Sequence, residues 1–181
     1  MSFSFRPQTI PEVVLIEPRI HGDERGYFLE AYRESAYASL GVRFVQENQS
    51  LSRRGVLRGI HFQRDPKAQG KLVRVTSGEI FDVAVDLRVG SPTFSQHVTV
   101  VLSDENHRLL YIPPGFGHAF YVQSDAATVI YLTTEEYDLG LDAGILWSDP
   151  DLRIPWPDQK PVVSTKDAAL PSLRQVLGPG A

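Results

Sequence analysis

The chain has 181 residues and a formal charge of −4, with 42% hydrophobic and 22% charged residues, values typical of one globular domain covering residues 1–181. It contains no cysteine, which excludes disulfides and thiolate metal sites, and its scattered lysines and arginines argue against a nucleic-acid surface. No apolar run approaches the roughly 20 residues that span a bilayer, and the N-terminus lacks a signal-peptide pattern. We therefore expect a cytoplasmic protein without membrane contact.

Short runs rich in Val, Ile, Tyr and Phe, separated by turn residues, predict about ten β-strands. These runs are residues 12–17, 26–32, 44–52, 56–62, 71–77, 79–88, 96–103, 109–113, 119–124 and 127–133. The dipeptide Ser77-Gly78 predicts a tight hairpin turn between two long strands.

Helical signals are few. Residues 33–41 could form two turns ended by Gly41, and Pro171 limits residues 165–177 to short helical pieces. Many strands with little helix predict an all-β fold, a jelly-roll β-sandwich or barrel with a few short helices.

The five histidines of the chain do not have the spacing of a metal site, because no pair is arranged as His-x-His or His-x₃-His. His118 follows a Pro-Gly turn, as in small barrels of the cupin type. Metal-binding barrels of that type also supply a His-x-His pair and a glutamate, whereas only His61 remains in the matching stretch here. We therefore expect no metal.

His61 and His118 are then candidates for acid–base chemistry, although a lone histidine in a strand is more often a hydrogen-bonded core residue. Charged residues in the neighbouring runs favour a functional role: Arg58, Lys71, Arg74, Asp82 and Asp86. Buried charges in strands are expensive unless they are paired or contact a ligand. Together they predict a polar interior that holds a ligand.

One predicted strand has a polar face made of Gln46, Asn48, Ser50 and Ser52. By itself this pattern favours a face open to solvent, although amide side chains also suit recognition of a base or sugar.

The stretch GVLRGIHFQ, residues 55–63, presents a conflict of geometry. Arg58 and His61 differ in parity, so a regular strand would point them to opposite faces. A glycine inside a strand often marks a bulge, and Gly59 lies between them. We predict either an irregularity near Gly59 that lets both side chains reach one site, or an Arg58 that reaches this site around the edge of the strand.

Several blocks in this order resemble the dTDP-4-dehydrorhamnose 3,5-epimerase family, from about residue 10 to residue 175. They are DERGYFLEAY (23–32), FVQENQSLS (44–52), GVLRGIHFQ (55–63), LYIPPGFGHAF (110–120), WSDPDL (147–152) and STKDAALPSL (164–173).

The resemblance implies a cupin-like jelly-roll homodimer that acts without metal or other cofactor on a dTDP-linked 4-keto-6-deoxyhexose. Such an isomerase converts dTDP-4-dehydro-6-deoxy-D-glucose to dTDP-4-dehydro-L-rhamnose. The C4 ketone acidifies the protons on C3 and C5. Inverting these centres requires a base, stabilisation of an enolate and an acid on the opposite side.

The resemblance also implies roles for individual residues. His61 resembles the base and Tyr131 the acid, and Lys71 would offset the charge on the keto oxygen. Asp167 is the candidate carboxylate that orients His61, with Asp82 as the alternative.

The implied substrate-binding residues are Arg25, Glu30, Gln46, Asn48, Arg58, His118, Tyr137, Asp142 and Lys166. Among them, Tyr137 falls at a position that stacks on thymine. Arg25 and Glu30 belong to an N-terminal segment that, in this family, reaches the partner subunit's site.

Three departures from the family pattern keep alternatives open. Ala119 replaces a glycine, Leu132 stands where many members have lysine, and Asp142 replaces a glutamate. The alternatives are a mono-epimerase of C3 or C5, a related keto-sugar isomerase and, in a different class, a non-catalytic sugar-nucleotide binding module.

Overall fold

The computed structural model describes residues 2–178, which form thirteen strands and four short helical segments. The strands are β1 (Phe3–Pro7), β2 (Val14–Pro18), β3 (Ile20–Asp23), β4 (Gly26–Leu29), β5 (Gln46–Arg53), β6 (Leu57–Gln63), β7 (Lys71–Ser77), β8 (Glu79–Asp86), β9 (His97–Ser103), β10 (Leu109–Ile112), β11 (Phe116–Val122), β12 (Ala126–Thr133) and β13 (Asp142–Gly144). Each of the ten predicted runs contains or overlaps a strand. The short strands β1, β3 and β13 were not predicted.

The helical segments agree with the weak signals in the sequence. Glu34–Ala36 and Ala38–Leu40 are single 3₁₀ turns, and Gly41 ends the second one in the left-handed region with φ 69°. Two short α-helices, α1 (Thr165–Ala168) and α2 (Leu173–Leu177), lie on either side of Pro171. No helix within residues 2–178 is long and apolar enough to cross a membrane.

Two sheets form a sandwich of jelly-roll type, which confirms the predicted fold class. One has the order β1-β2-β10-β7-β12-β5, and the other has the order β13-β6-β11-β8-β9. Their inner faces share one core, in which Val73 and Val129 from the first sheet pack with Ala84 and Phe120 from the second. The segment after β13 covers the outer face of the second sheet, where Trp156 packs in a second core. The second sheet is therefore buried on both faces.

The predicted hairpin at Ser77-Gly78 is wrong. Strand β7 pairs with β10 and β12, whereas β8 pairs with β11 and β9, so the chain crosses from one sheet to the other at Gly78. Gly78 has φ 81°, and a Cβ there would lie 2.0 Å from the carbonyl oxygen of Ala126. A tight turn between two long runs looks the same in sequence whether the strands pair or separate.

The predicted irregularity at Gly59 is confirmed. On the β6–β11 ladder, His61 lies opposite His118 and Arg58 lies opposite Phe120, so β6 contains one residue more than its partner. This β-bulge cancels the parity difference, and both Arg58 and His61 line one cavity. Gly59 has φ 115°, and a Cβ there would lie 2.5 Å from the carbonyl oxygen of His118.

We expect Gly59→Ala to reduce the free energy of unfolding by about 2–4 kcal/mol, because the methyl group would clash with β11 at a strained φ. Gly90→Ala is the matched control, since Gly90 also has positive φ but has no atom within 4 Å of its built Cβ. That control should lose only about 1 kcal/mol. Urea denaturation measures both values, and equal losses would contradict the steric argument.

Candidate active site

A cavity of about 270 Å³ opens between the two sheets and is lined mainly by polar side chains. Strands from both sheets contribute to it. The lining residues are Gln46, Asn48, Ser50, Arg58, His61, Phe62, Gln63, Gln69, Lys71, His118, Phe120, Tyr131, Tyr137, Asp142 and Lys166.

His61 projects from β6 into this cavity and is held by Asp167 of helix α1. Nε2 of His61 lies 2.7 Å from Oδ1 of Asp167, and the other oxygen of Asp167 accepts from the N–H of Gly59 at 3.4 Å. The hydroxyl of Ser164 caps the helix by accepting from the N–H of Asp167. Because an ionised carboxylate only accepts hydrogen bonds, Nε2 carries the hydrogen and Nδ1 is the nitrogen left to accept a proton.

Burial lowers the pKa of His61, and Asp167 opposes this shift only in part. The positive charge of Lys71 lowers it further. The imidazole is therefore neutral at pH 7 and can act as a base, while its side chain, 33% exposed, remains accessible from the cavity.

Asp82 is the partner of a different histidine. Its Oδ1 lies 2.7 Å from Nε2 of His118, and both side chains are buried. His118 and His61 are direct neighbours across the β6–β11 ladder, so two His–Asp pairs lie side by side. Oδ2 of Asp82 has no hydrogen-bond partner within residues 2–178.

Lys71 places a buried cation at the same cavity. The residue is 8% exposed, and its Nζ donates to the carbonyl oxygen of His61 at 3.3 Å. Burial lowers the pKa of Lys71 to about 8, although the negative charges of Asp82 and Asp142 oppose the shift. The group is thus mostly an ammonium at neutral pH, in surroundings that strengthen its electrostatic effect.

Tyr131 reaches the cavity from β12, which belongs to the sheet opposite His61. Burial raises the pKa of Tyr131, and the nearby charge of Arg58 opposes the shift. The phenol therefore keeps its proton at neutral pH. Nε of Arg58 donates to the hydroxyl of Ser52 at 2.9 Å, which holds the guanidinium beside β5.

The polar face of β5 is turned to the cavity and not to bulk solvent. Gln46, Asn48 and Ser50 line the cavity, and Ser52 is buried. The prediction that this face is open to solvent, which the polar alternation favoured, is therefore wrong. A polar cavity produces the same period-two pattern as solvent, because both accept hydrogen-bonding side chains.

Tyr137, Asp142 and Lys166 form one end of the cavity. Oδ2 of Asp142 accepts from Nζ of Lys166 at 2.5 Å and from the hydroxyl of Tyr137 at 3.3 Å. Gln46 accepts from the N–H of Tyr137 at 2.9 Å and donates to Asn48 at 2.9 Å. This end combines an aromatic ring with amide groups and a cation, a set that suits a nucleotide.

Comparison with known proteins agrees with this geometry. The model of the dTDP-4-dehydrorhamnose 3,5-epimerase family matches residues 7–175. The chain belongs to this family of isomerases. A family member from Salmonella typhimurium is 51% identical, over 93% of this chain and 94% of its own length.

Solved structures of two relatives have the same fold. The 3,5-epimerase of Legionella pneumophila, in complex with dTDP-4-keto-L-rhamnose, is 47% identical with a TM-score of 0.92, and the match covers 96% of this chain and 94% of that one. A 3′-monoepimerase from Streptomyces bikiniensis, in complex with dTDP-quinovose, is 36% identical with a TM-score of 0.88, over 95% and 91% of the chains.

Two residues that the family resemblance implicated are not at the cavity of this chain. Arg25 lies in the turn between β3 and β4, is 85% exposed and pairs with Asp23. Glu30 follows β4 and pairs with Arg33 at 2.8 Å. Neither side chain lines the cavity, whereas the other eleven implicated residues either line it or, like Asp167, hold a residue that does.

The sequence analysis did not identify Gln63 or Phe120 as part of the site. Gln63 follows His61 by two residues and therefore shares its face of β6, a signal that was available. Phe120 looked like an ordinary core residue. Within residues 2–178, no three His, Asp or Glu side chains are arranged as ligands of one metal ion.

We expect Lys71→Met to increase the free energy of unfolding at pH 7 by roughly 1–3 kcal/mol. Methionine has a side chain of similar length to lysine, and the substitution removes a buried charge. The folded pKa of about 8 lies below the ordinary 10.5, so the penalty is complete below pH 8. It disappears as the pH rises towards 10.5, because the unfolded chain then binds more protons than the folded one.

Urea denaturation at pH 7 and pH 10 measures this difference. Lys160→Met is the control, as Lys160 is exposed and should show no pH-dependent gain. A loss of stability in Lys71→Met at pH 7 would contradict the prediction.

Proposed function

We propose that this protein inverts C3 and C5 of dTDP-4-dehydro-6-deoxy-D-glucose and so forms dTDP-4-dehydro-L-rhamnose, in deoxysugar biosynthesis. The observation that carries this proposal is the facing arrangement of a neutral His61, held by Asp167, and a protonated Tyr131 on the opposite sheet. Lys71 lines the same cavity as both.

The first step is removal of a proton next to the ketone. Nδ1 of His61 takes the proton from C3 or C5, and the electron pair of the C–H bond moves into an enolate whose charge lies on the C4 oxygen. The imidazolium that forms is stabilised by the Asp167 carboxylate, which remains ionised. Asp167 also prevents the ring from rotating away from the substrate.

Lys71 stabilises the enolate. Its ammonium is desolvated and fixed before the reaction begins, so it offsets the developing charge without reorganisation of solvent. His118 lies beside His61 and borders the same region of the cavity, where it contacts the sugar.

Tyr131 completes the inversion by donating its proton to the opposite face of the carbon. His61 is on β6 of one sheet and Tyr131 is on β12 of the other, so the two groups approach the sugar from opposite walls. Arg58 stabilises the phenolate that remains. The proposed reaction consists only of proton transfers, so it requires no redox cofactor and no metal.

The nucleotide occupies the end of the cavity that contains Tyr137. We assign stacking on thymine to the Tyr137 ring, and contacts with the nucleoside and diphosphate to Gln46, Asn48, Arg58 and Lys166, the last held by Asp142.

The partner subunit supplies the remaining contacts in a homodimer. Strands β3 and β4 pair only with each other within residues 2–178 and expose Tyr27 and Phe28. The two exposed aromatic side chains on this hairpin suit an interface. Arg25 lies in the turn of this hairpin and Glu30 directly follows it; both are away from their own cavity and would contact the substrate of the other chain.

A mono-epimerase is the second candidate function. It is favoured by the likeness to the Streptomyces bikiniensis 3′-monoepimerase. Retention of Tyr131 does not distinguish the two functions, because that 3′-monoepimerase also has a histidine and a tyrosine with the same separation along its chain. The complete set of base, acid and cation opposes a non-catalytic binding module.

Incubation with the keto sugar nucleotide in deuterium oxide tests the reaction. We expect deuterium at both C3 and C5 by NMR, and full activity after treatment with a chelator. Exchange at one carbon would indicate a mono-epimerase, and no exchange would exclude catalysis. Activity that is lost on chelation and restored by a divalent metal would exclude the metal-free mechanism.

His61→Asn should abolish exchange at both carbons, a loss of about 10³-fold, because the base is removed. Tyr131→Phe should reduce turnover about 10²-fold while part of the exchange survives, since His61 can still remove and return a proton. Either variant with wild-type turnover would contradict its assigned role.

Mixed dimers test the shared site. Arg25→Ala and His61→Asn should each have little activity. After unfolding and refolding together, they should recover about a quarter of wild-type turnover, because half the dimers would contain one site with native residues from both chains. No recovery would show that Arg25 acts within its own chain, and wild-type activity of Arg25→Ala by itself would show that Arg25 has no role in turnover.

A further inference from the structure

The loop between β12 and β13, residues 134–141, carries Tyr137 at the cavity and has no regular secondary structure. Tyr137 is 54% exposed, so packing alone does not fix its ring. The position of this side chain therefore depends on what holds the backbone of the 134–141 loop.

Gln63 holds this backbone on both sides of Tyr137. Its Nε2 donates to the carbonyl oxygen of Glu136 at 3.1 Å, and its Oε1 accepts from the N–H of Asp138 at 2.9 Å. The same Nε2 also donates to the carbonyl oxygen of Lys67 at 2.6 Å. The amide thus ties two loops to the end of strand β6.

Gln63 is only 4% exposed, so its hydrogen bonds are made away from water. Removing a buried amide of this kind leaves backbone groups without partners, which is more costly than losing an exposed contact. Asp138 also forms an ion pair with Lys67. This ion pair is exposed to solvent and therefore contributes little to the stability of the loop.

Gln46 provides a second attachment from the opposite sheet, since its Oε1 accepts from the N–H of Tyr137 itself. Three consecutive residues of the loop are therefore bound by two amide side chains. Gln63 differs from Gln46 in its position: it lies on the same strand as His61, two residues further on, and shares its face.

We propose that Gln63 is a positioning residue that sets the affinity for the nucleotide end of the substrate by fixing the Tyr137 loop to the strand of the base His61. Because β6 carries both His61 and Gln63, the spacing between the reacting carbon and the thymine-stacking ring is determined by one rigid element. This inference rests on the proposed function, in which Tyr137 stacks on thymine.

Gln63→Met tests the proposal, since methionine matches glutamine in length but cannot form these hydrogen bonds. We expect the Kd of dTDP, measured by calorimetry, and the KM of the keto sugar nucleotide to rise roughly tenfold, with kcat within about twofold of wild type. Gln123→Met is the control, because Gln123 lies outside the cavity and should change neither constant.

The keto-hexose 1-phosphate, which lacks the nucleoside, separates positioning from damage to the catalytic strand. Deuterium exchange into this compound should be the same in wild type and Gln63→Met, because it makes no contact with Tyr137. Equal losses with both substrates would overturn the proposal, as would an unchanged dTDP Kd or a fall in kcat alone. Gln63→Leu repeats the measurement with a branched side chain that also cannot form these hydrogen bonds.

A double-mutant cycle identifies the route of the effect. On a Tyr137→Ala background, Gln63→Met should weaken dTDP binding less than twofold, because the ring that it positions is gone. A full tenfold loss on that background would overturn the proposal. Failure of the wild-type protein to exchange either substrate would instead reject the proposed function.

Discussion

The carboxylate of Asp167 ties the C-terminal segment to strand β6, and the geometry of the cavity depends on this contact. One oxygen orients the imidazole of His61, and the other accepts from the N–H of Gly59 at the bulge. The bulge in turn brings Arg58 to the same side as His61. A single buried side chain from helix α1 therefore supports the orientation of His61, the proposed base, and the backbone irregularity that completes the wall of the cavity.

Charged groups between the sheets reduce stability and make acid–base chemistry possible. Lys71 and Asp82 are buried, and one oxygen of Asp82 has no hydrogen-bond partner within residues 2–178. Hydrophobic residues in these positions would pack without desolvated charge. The low polarity that makes these buried charges costly for stability also keeps His61 neutral. In the proposed mechanism it strengthens the effect of the charges on a developing enolate.

The sandwich provides two opposing walls, which is what inversion of a carbon requires. His61 and Tyr131 are on different sheets, so in the proposed mechanism a sugar between them loses a proton to one and receives a proton from the other. The loop that carries Tyr137 is held by amide side chains from the same two walls, Gln63 and Gln46. In the proposed mechanism, catalysis and recognition therefore depend on the same pair of sheets.

The sequence by itself determined ten of the thirteen strands and the bulge, because these depend on local properties: residue type, period-two alternation and the parity of Arg58 against His61. The roles of the chemical groups came from the family resemblance. Short edge strands such as β13 lacked enough residues for a pattern. Only the tertiary structure decided that the chain changes sheet at Gly78, that the polar face of β5 borders a cavity, and that Asp167 holds His61. These outcomes join residues far apart in the chain, 106 positions for His61 and Asp167, and no local pattern encodes which distant carboxylate or which wall a side chain will meet.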